Sequence, residues 1–191
     1  NEIGTVQDLN ALGAVCKKAG VLFHTDACQS FTKVPIDVRK AGVDMMTLNS
    51  HKIHGPKGVG ALYVRKGVEL VPWQHGGGHE GGLRAGTENV AGIVGFAEAA
   101  KLAMKGKHVK EMVKMRDLFV RGVLGRIEGV KLNGPLDEGA ADKRLCNNAN
   151  FSFAVDGEML GDYLNSAWVS TSKGSACSAN EGEKPSHVLK A

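Results

Sequence analysis

The sequence has 191 residues, 42% of them hydrophobic and 23% charged, the composition of a globular protein with one large or two small domains. Its formal charge of +4 comes from 24 basic residues interspersed with 20 acidic ones, whereas a nucleic-acid reader gathers its basic side chains on one helix or stripe. No apolar run is long enough to span a bilayer and the chain shows no basic-then-apolar export pattern, so neither nucleic acid nor membrane is expected as a partner and the cytoplasm is the expected compartment.

Val6, Leu9, Leu12, Val15 and Cys16 recur at three- and four-residue steps and predict an amphipathic helix over 6–18, with Gly20 as its stop. The run Val21-Leu22-Phe23-His24-Thr25 predicts a buried strand that leaves at Asp26. A short helix is expected over 38–41, then a second strand over 44–48 that runs into the polar cluster Asn49-Ser50-His51-Lys52. Residues 58–64 are apolar and β-favouring and predict a third strand. After a glycine-dense stretch at 75–86, Thr87 is read as the N-cap of a helix over 88–104. The charged segment 105–126 has Val109, Met112, Val113, Met115, Leu118 and Phe119 at helical spacing and predicts a long surface helix. Strands near 130 and over 150–155, a helix over 158–167 and a short strand over 168–170 follow.

Helix–strand alternation in the first hundred residues predicts an α/β fold with a mainly parallel sheet, and the rest a smaller α+β unit. The expected domains are 1–105 and 106–191. The chain starts at Asn1 and stops at Ala191 inside a helical pattern, so both ends read as cuts through a larger polypeptide.

The four cysteines, Cys16, Cys28, Cys146 and Cys177, form no C-x-x-C pair and no zinc-ligand spacing, so no metal is expected. The strongest local signal is Ser50-His51-Lys52-Ile53-His54-Gly55-Pro56-Lys57-Gly58. A lysine that bonds a carbonyl cofactor must be held at a fixed point and be able to lose its proton. The end of a strand followed by a rigid Gly-Pro turn provides that point; taken alone, the segment also suits a solvated basic loop. Asp26 changes the balance, because a pyridoxal-phosphate (PLP) enzyme keeps an acid beside the ring nitrogen and ligands of open α/β sheets bind outside the carboxyl ends of strands. Gln29, one turn on, and Asn1 are candidates for the ring hydroxyl. Cys177 lies among small polar residues with Lys173 nearby, a setting that favours an accessible thiolate. Cys16 and Cys28 read as packing residues, and Cys146 gives no signal.

Asn1-Glu2-Ile3-Gly4, His24-Thr25-Asp26-Ala27-Cys28-Gln29-Ser30, the Lys52 segment, His75-Gly76-Gly77-Gly78-His79-Glu80, Arg84-Ala85-Gly86-Thr87 and Gly174-Ser175-Ala176-Cys177-Ser178 resemble, in order and spacing, the cysteine desulfurases. The resemblance covers essentially the whole chain. It implies an aspartate-aminotransferase-like PLP fold, a homodimer, and L-cysteine as substrate. It further implies that Lys52 bonds the cofactor, Asp26 pairs with the pyridine nitrogen, Gln29 and Asn1 contact the ring hydroxyl, and His51 contacts the phosphate. Thr87 would reach the phosphate of a neighbouring subunit's cofactor. Cys177 would take the sulfur as a persulfide, releasing L-alanine, for delivery to an iron–sulfur scaffold or sulfur-carrier protein. Where the family usually has a phosphate-binding serine, this chain has Asn49, so either Asn49 or Ser50 donates to the phosphate. A ring-stacking group upstream of Asn1 and a carboxylate-binding arginine downstream of Ala191 are absent, so the 191 residues alone are expected to turn over little cysteine.

Two other readings use the same residues. Another PLP enzyme of this fold, an aminotransferase or a selenocysteine lyase, would keep Lys52, Asp26 and Gln29 and have no need of Cys177. A dimerising or carrier-binding module would need no cofactor.

Overall fold

The computed structural model describes residues 1–136, 138–172, 174 and 186–190. They form two compact units, one of Asp8–Lys107 and one that joins Asn1–Gln7 to the segment from His108 onward.

In the first unit Asp8 opens helix α1 (Leu9–Ala19) by accepting from the amides of Asn10 and Ala11 at 2.9 and 3.1 Å, which satisfies two of the donors that a helix start leaves orphaned. Gly20 closes it in a left-handed conformation. The buried face of the helix is Gly13, where a Cβ would lie 1.8 Å from the Ala41 carbonyl oxygen. This close backbone approach replaces the side-chain packing expected of Leu12 and Val15, which are exposed.

The sheet has the order β1-β2-β3, with β1 His24–Asp26, β2 Met45–Asn49 and β3 Gly60–Val64. Strand β1 pairs parallel to β2, with Asp26 opposite Thr47. Strand β3 runs antiparallel to β2, because residues 50–59 are too few for the crossover that a parallel neighbour requires. The first strand is shorter than its apolar run, and Val21 and Leu22 stand exposed ahead of it. Neither residue has a ladder partner, and β1 is half-exposed rather than buried because β2 is its one partner among the described strands.

Ala27, Ala41, Val43 and Met46 form the core, with Leu9, Phe23, Ile36, Val38, Leu48 and Tyr63 packed around them. The larger aliphatic and Phe side chains among them each contribute roughly 1.5–3 kcal/mol when fully withdrawn from water. Residues 38–41 form a turn rather than a helix; Asp37 caps its start by accepting the amides of Arg39 and Lys40, and Gly42, at a left-handed φ of 64°, ends it after one winding. Asp44 ties the strands together, taking the Phe23 amide at 2.7 Å and Arg65 Nε at 2.6 Å. Those two contacts, the amide first, hold its carboxyl below the usual range.

Helix α2 (Val90–Ala103) is capped by Asn89, whose Oδ1 accepts the Gly92 amide at 3.0 Å, and not by Thr87. In the second unit α3 (Lys107–Arg126) buries Val113 and Val120 together with Arg116 and Asp117, while Met115, Leu118 and Phe119 stay exposed. The charged pair is inside because Arg116 donates to the carbonyls of Ala140, Arg144 and Leu145, and Asp117 accepts the Gly139 amide. Strands β4 (Lys131–Leu132) and β5 (Phe151–Ser152) pair antiparallel. Helices α4 (Gly157–Ser166) and α5 (His187–Lys190) follow. The strand expected over 168–170 does not form: Trp168 takes a left-handed φ of 63° after α4 and points its ring into solvent.

Candidate active site

Because β1 and β2 are parallel, their carboxyl ends open on the same side of the sheet. Asp26 is the last residue of β1, and β2 runs through Asn49 into a single 3-10 turn, His51–Ile53, that carries Lys52. The Ser50 amide donates to Val59 O, and the Ser50 carbonyl accepts from both Ile53 and Gly55, so this turn closes on itself. His54 then takes a left-handed φ of 65°. Gly55 is required by contact, since a Cβ there would sit 2.1 Å from Ser50 Oγ. Ile53 beneath the turn is buried and Lys52 is half-buried. The lysine therefore stands on a backbone fixed from both sides.

Asp26 points its Oδ1 at the Cys28 amide, 2.8 Å away. That bond lowers its carboxyl below the usual range; burial opposes the shift, while the charges of Lys52 and His24 reinforce it. The carboxylate of Asp26 and the amine of Lys52 thus share one electrostatic environment. His24 Nε2 also lies 2.8 Å from Thr47 Oγ1 on the neighbouring strand. Burial, and after it Asp26, push the Cys28 thiol up to about 11, so Cys28 stays protonated at neutral pH.

Gln29 lies half-buried in the turn after Asp26. Asn49 is half-buried and its Oδ1 is enclosed without a partner; Ser50 is fully buried, and its Oγ is likewise enclosed without one. His51 is exposed. Thr87, also exposed, lines an open hollow with Gly58, Gly60, Arg84, Glu88 and Asn89, which neither Lys52 nor Asp26 lines. The structure therefore brings Asp26, Gln29, Asn49, Ser50, His51 and Lys52 to one end of β1 and β2, and sets Thr87 in a hollow of the same unit that also takes in Gly60, the partner of Asn49 across β2 and β3.

Asn1 belongs to the second unit, where Asn148 Nδ2 donates to the carbonyls of Asn1 and Glu2 at 3.1 and 3.0 Å. Arg144 Nη1 in turn donates to Asn148 Oδ1 at 3.0 Å. Cys177 and Lys173 lie outside the described residues. Of the other cysteines, Cys146 is fully buried beside Met112 Sδ, and Cys16 is half-buried.

Sequence reasoning passed over Lys33, whose buried ammonium reaches the carbonyls of Gln29 and Lys52 at 3.0 and 3.4 Å. Nothing local marks it, since one of its partners is nineteen residues on. An ionised carboxylate in electrostatic contact with a fixed amine, beside enclosed polar atoms with no protein partner, fits a flat heteroaromatic group. Such a group needs an acid at its ring nitrogen and an amine at its carbonyl carbon.

The "Aminotransferase class-V" family matches residues 1–191. A cysteine desulfurase IscS of Dictyoglomus turgidum is 47% identical over 194 aligned residues, which take in 100% of this chain and 48% of that protein. The mitochondrial cysteine desulfurase of Arabidopsis thaliana is 44% identical, over 100% of this chain and 42% of its own length. Among solved structures, a NifS-like protein superposes with a TM-score of 0.80 at 37% identity, over 90% of this chain and 47% of that one. The chain spans about half the length of the curated relatives it matches. Its fold is the mixed α/β arrangement of these NifS-like, aminotransferase-type proteins.

Proposed function

This chain belongs to the class-V aminotransferase family, and we propose from that premise that it is the part of a cysteine desulfurase that holds PLP and removes sulfur from L-cysteine. The observation that carries the reading is the placement of Asp26 and the Lys52 turn at the common carboxyl end of β1 and β2. When bound, PLP supplies an aromatic ring that accepts the electron pair released at the substrate's α-carbon.

Each residue has a task in this reading. Lys52 would anchor the cofactor covalently, and its amine is the base at hand for moving the substrate's α-proton. Asp26 stays ionised at neutral pH and keeps the ring nitrogen protonated by charge and hydrogen bond. Gln29, in the turn that follows Asp26, donates to the ring hydroxyl. His51 and Asn49 hold the phosphate. Of the pair Asn49 and Ser50 the asparagine is favoured, because Ser50 has no exposed surface and Gly55 closes over its hydroxyl. Thr87, exposed and in a hollow that Lys52 does not line, is assigned to the cofactor phosphate of a second subunit in a homodimer. The thiolate of Cys177 attacks the sulfur of the substrate; the sulfur–carbon bond breaks with its electron pair on carbon, protonation there gives L-alanine, and Cys177 keeps a persulfide. An iron–sulfur scaffold or a sulfur carrier then takes that sulfur in the cytoplasm. The cysteine desulfurase names of the relatives support the substrate, as does a solved structure named "SspA in complex with cysteine", 34% identical with a TM-score of 0.72. No helix among the described residues is long and apolar enough to cross a membrane.

The test is reconstitution of the full-length protein with PLP, followed by absorbance and product analysis. A visible band that is lost in Lys52→Ala, and one alanine released per persulfide formed, are the expected results. Full sulfur release by Cys177→Ser would turn the assignment to a lyase. No visible band in the wild-type protein would turn it to a module without cofactor.

A further inference from the structure

Among the described residues Lys33 is the one buried lysine, 7% exposed, and lysine is almost never withdrawn this far unless its ammonium is paired or hydrogen-bonded. Its Nζ donates to Gln29 O at 3.0 Å and to Lys52 O at 3.4 Å. These carbonyls belong to the two segments that rise from the ends of β1 and β2, one following Asp26 and the other carrying the anchor lysine. The ammonium is thus a direct tie between the 27–33 turn and the 51–53 turn.

The backbone next to it is unusual as well. Thr32, a β-branched residue, takes a left-handed φ of 65°, and its Oγ1 is enclosed without a partner. Such a conformation is strained for a β-branched residue and persists only where the surroundings impose it. Here it follows the winding of Ala27 to Phe31 and comes just before Lys33, whose amide bonds Ser30 O while its side chain turns back under Gln29.

We propose that Lys33 is a positioning residue for the reaction: it fixes the backbone of Lys52 against the Gln29 turn and so sets the orientation of the anchor lysine relative to Asp26. The inference rests on the reading of Lys52 as the residue that bonds the cofactor. Lys33 touches neither substrate nor cofactor in this role; it acts through the two carbonyls. The titratable groups gathered at this end of the sheet are Asp26, His24, Cys28 and Lys52, and the tie holds their frame without replacing any of them.

The test is visible circular dichroism of the PLP-loaded full-length protein, recorded well below its melting temperature and divided by the absorbance of the same band. That ratio reports how the bound chromophore is oriented, and a brace that served stability alone would leave it unchanged in the folded protein. Lys33→Met, which keeps the apolar stem and deletes the donor, is expected to lower the ratio at least about twofold and to raise the rate of cofactor release about tenfold. Lys33→Arg, which keeps charge and donors, is expected to restore most of both. Should Lys33→Met fail to fold, Lys33→Gln, a neutral donor too short to bridge the two carbonyls, is read by the same criteria. A wild-type ratio and release rate in the folded Met or Gln variant overturns the inference alone. A wild-type protein with no visible band sinks the reading of Lys52 and this inference with it.

Discussion

In the cofactor-free protein, alkylation of Cys28 by iodoacetamide at pH 7.5 is expected to run about 100-fold slower than that of an ordinary exposed cysteine. The thiol lies beside Asp26, its Sγ 3.8 Å from the Thr47 carbonyl, and is pushed up to about 11 from an ordinary 9.0 by burial first and Asp26 second. The thiolate reacts and the thiol does not, so the rate follows the ionised fraction. At pH 7.5 that fraction is about 3 in 10,000 for Cys28 and about 3 in 100 for a thiol at the ordinary value, which gives the factor. Time-resolved labelling with peptide mapping measures it residue by residue, with glutathione as the exposed standard. Asp26→Asn should accelerate Cys28 several-fold by removing the neighbouring charge, while burial keeps it slower than the standard. Wild-type Cys28 labelled within about threefold of glutathione would refute the reasoning, and would make Cys28 a competitor of Cys177 for the role of sulfur acceptor.

Asp26 gives a second expectation, with the opposite sign of shift: its folded carboxyl lies below the unfolded value of about 3.9, so its contribution to stability is complete above that value and fades as pH falls through the lower, folded one. Urea unfolding of wild type and Asp26→Asn should therefore differ by a constant amount between pH 7 and 5 and converge below about pH 4; a difference that widens in acid would contradict it. Gly13→Ala forces a methyl to within 1.8 Å of the Ala41 carbonyl oxygen, and should cost about 3 kcal/mol in urea unfolding as α1 is pushed off its seat; a loss under about 1 kcal/mol would mean that the helix has room to move. Asn148→Ala deletes the donors to Asn1 and Glu2 and the acceptor for Arg144, at an expected cost of about 2 kcal/mol. Its thermal midpoint should fall several degrees, and an unchanged midpoint would show that these carbonyls are served by water instead.

The stop of α1 was readable because Gly20 caps it through its own backbone in a left-handed conformation, whereas the start was read at residue 6, ahead of the cap that Asp8 supplies. Thr87 was misread because Asn89 is as good a cap two residues later, and its bond to the Gly92 amide decides between them. The apolar spacing of α3 announced a surface helix, and of its apolar residues Val113 is buried while Met115, Leu118 and Phe119 are exposed. Arg116 and Asp117 are buried there because the 139–145 segment folds its backbone groups onto them, and no periodicity within the helix reports that.

At the site, the sequence by itself determined the contiguous chemistry: an acid closing one strand, an amine on the turn that follows the next, and Gly-Pro to stiffen that turn. These features need nothing beyond a few neighbouring residues, so they survive as motifs. The tertiary structure decided everything that depends on strand register and burial. It set β1 parallel to β2, so that Asp26 and Lys52 meet at one end, and β3 antiparallel to both. It enclosed Ser50 while leaving Asn49 half-buried, raised the Cys28 thiol, and drew Lys33 beneath Gln29 and Lys52. The physical reason is that electrostatic shifts and buried hydrogen bonds depend on distance through space and on exclusion of water, and neither is a property of separation along the chain.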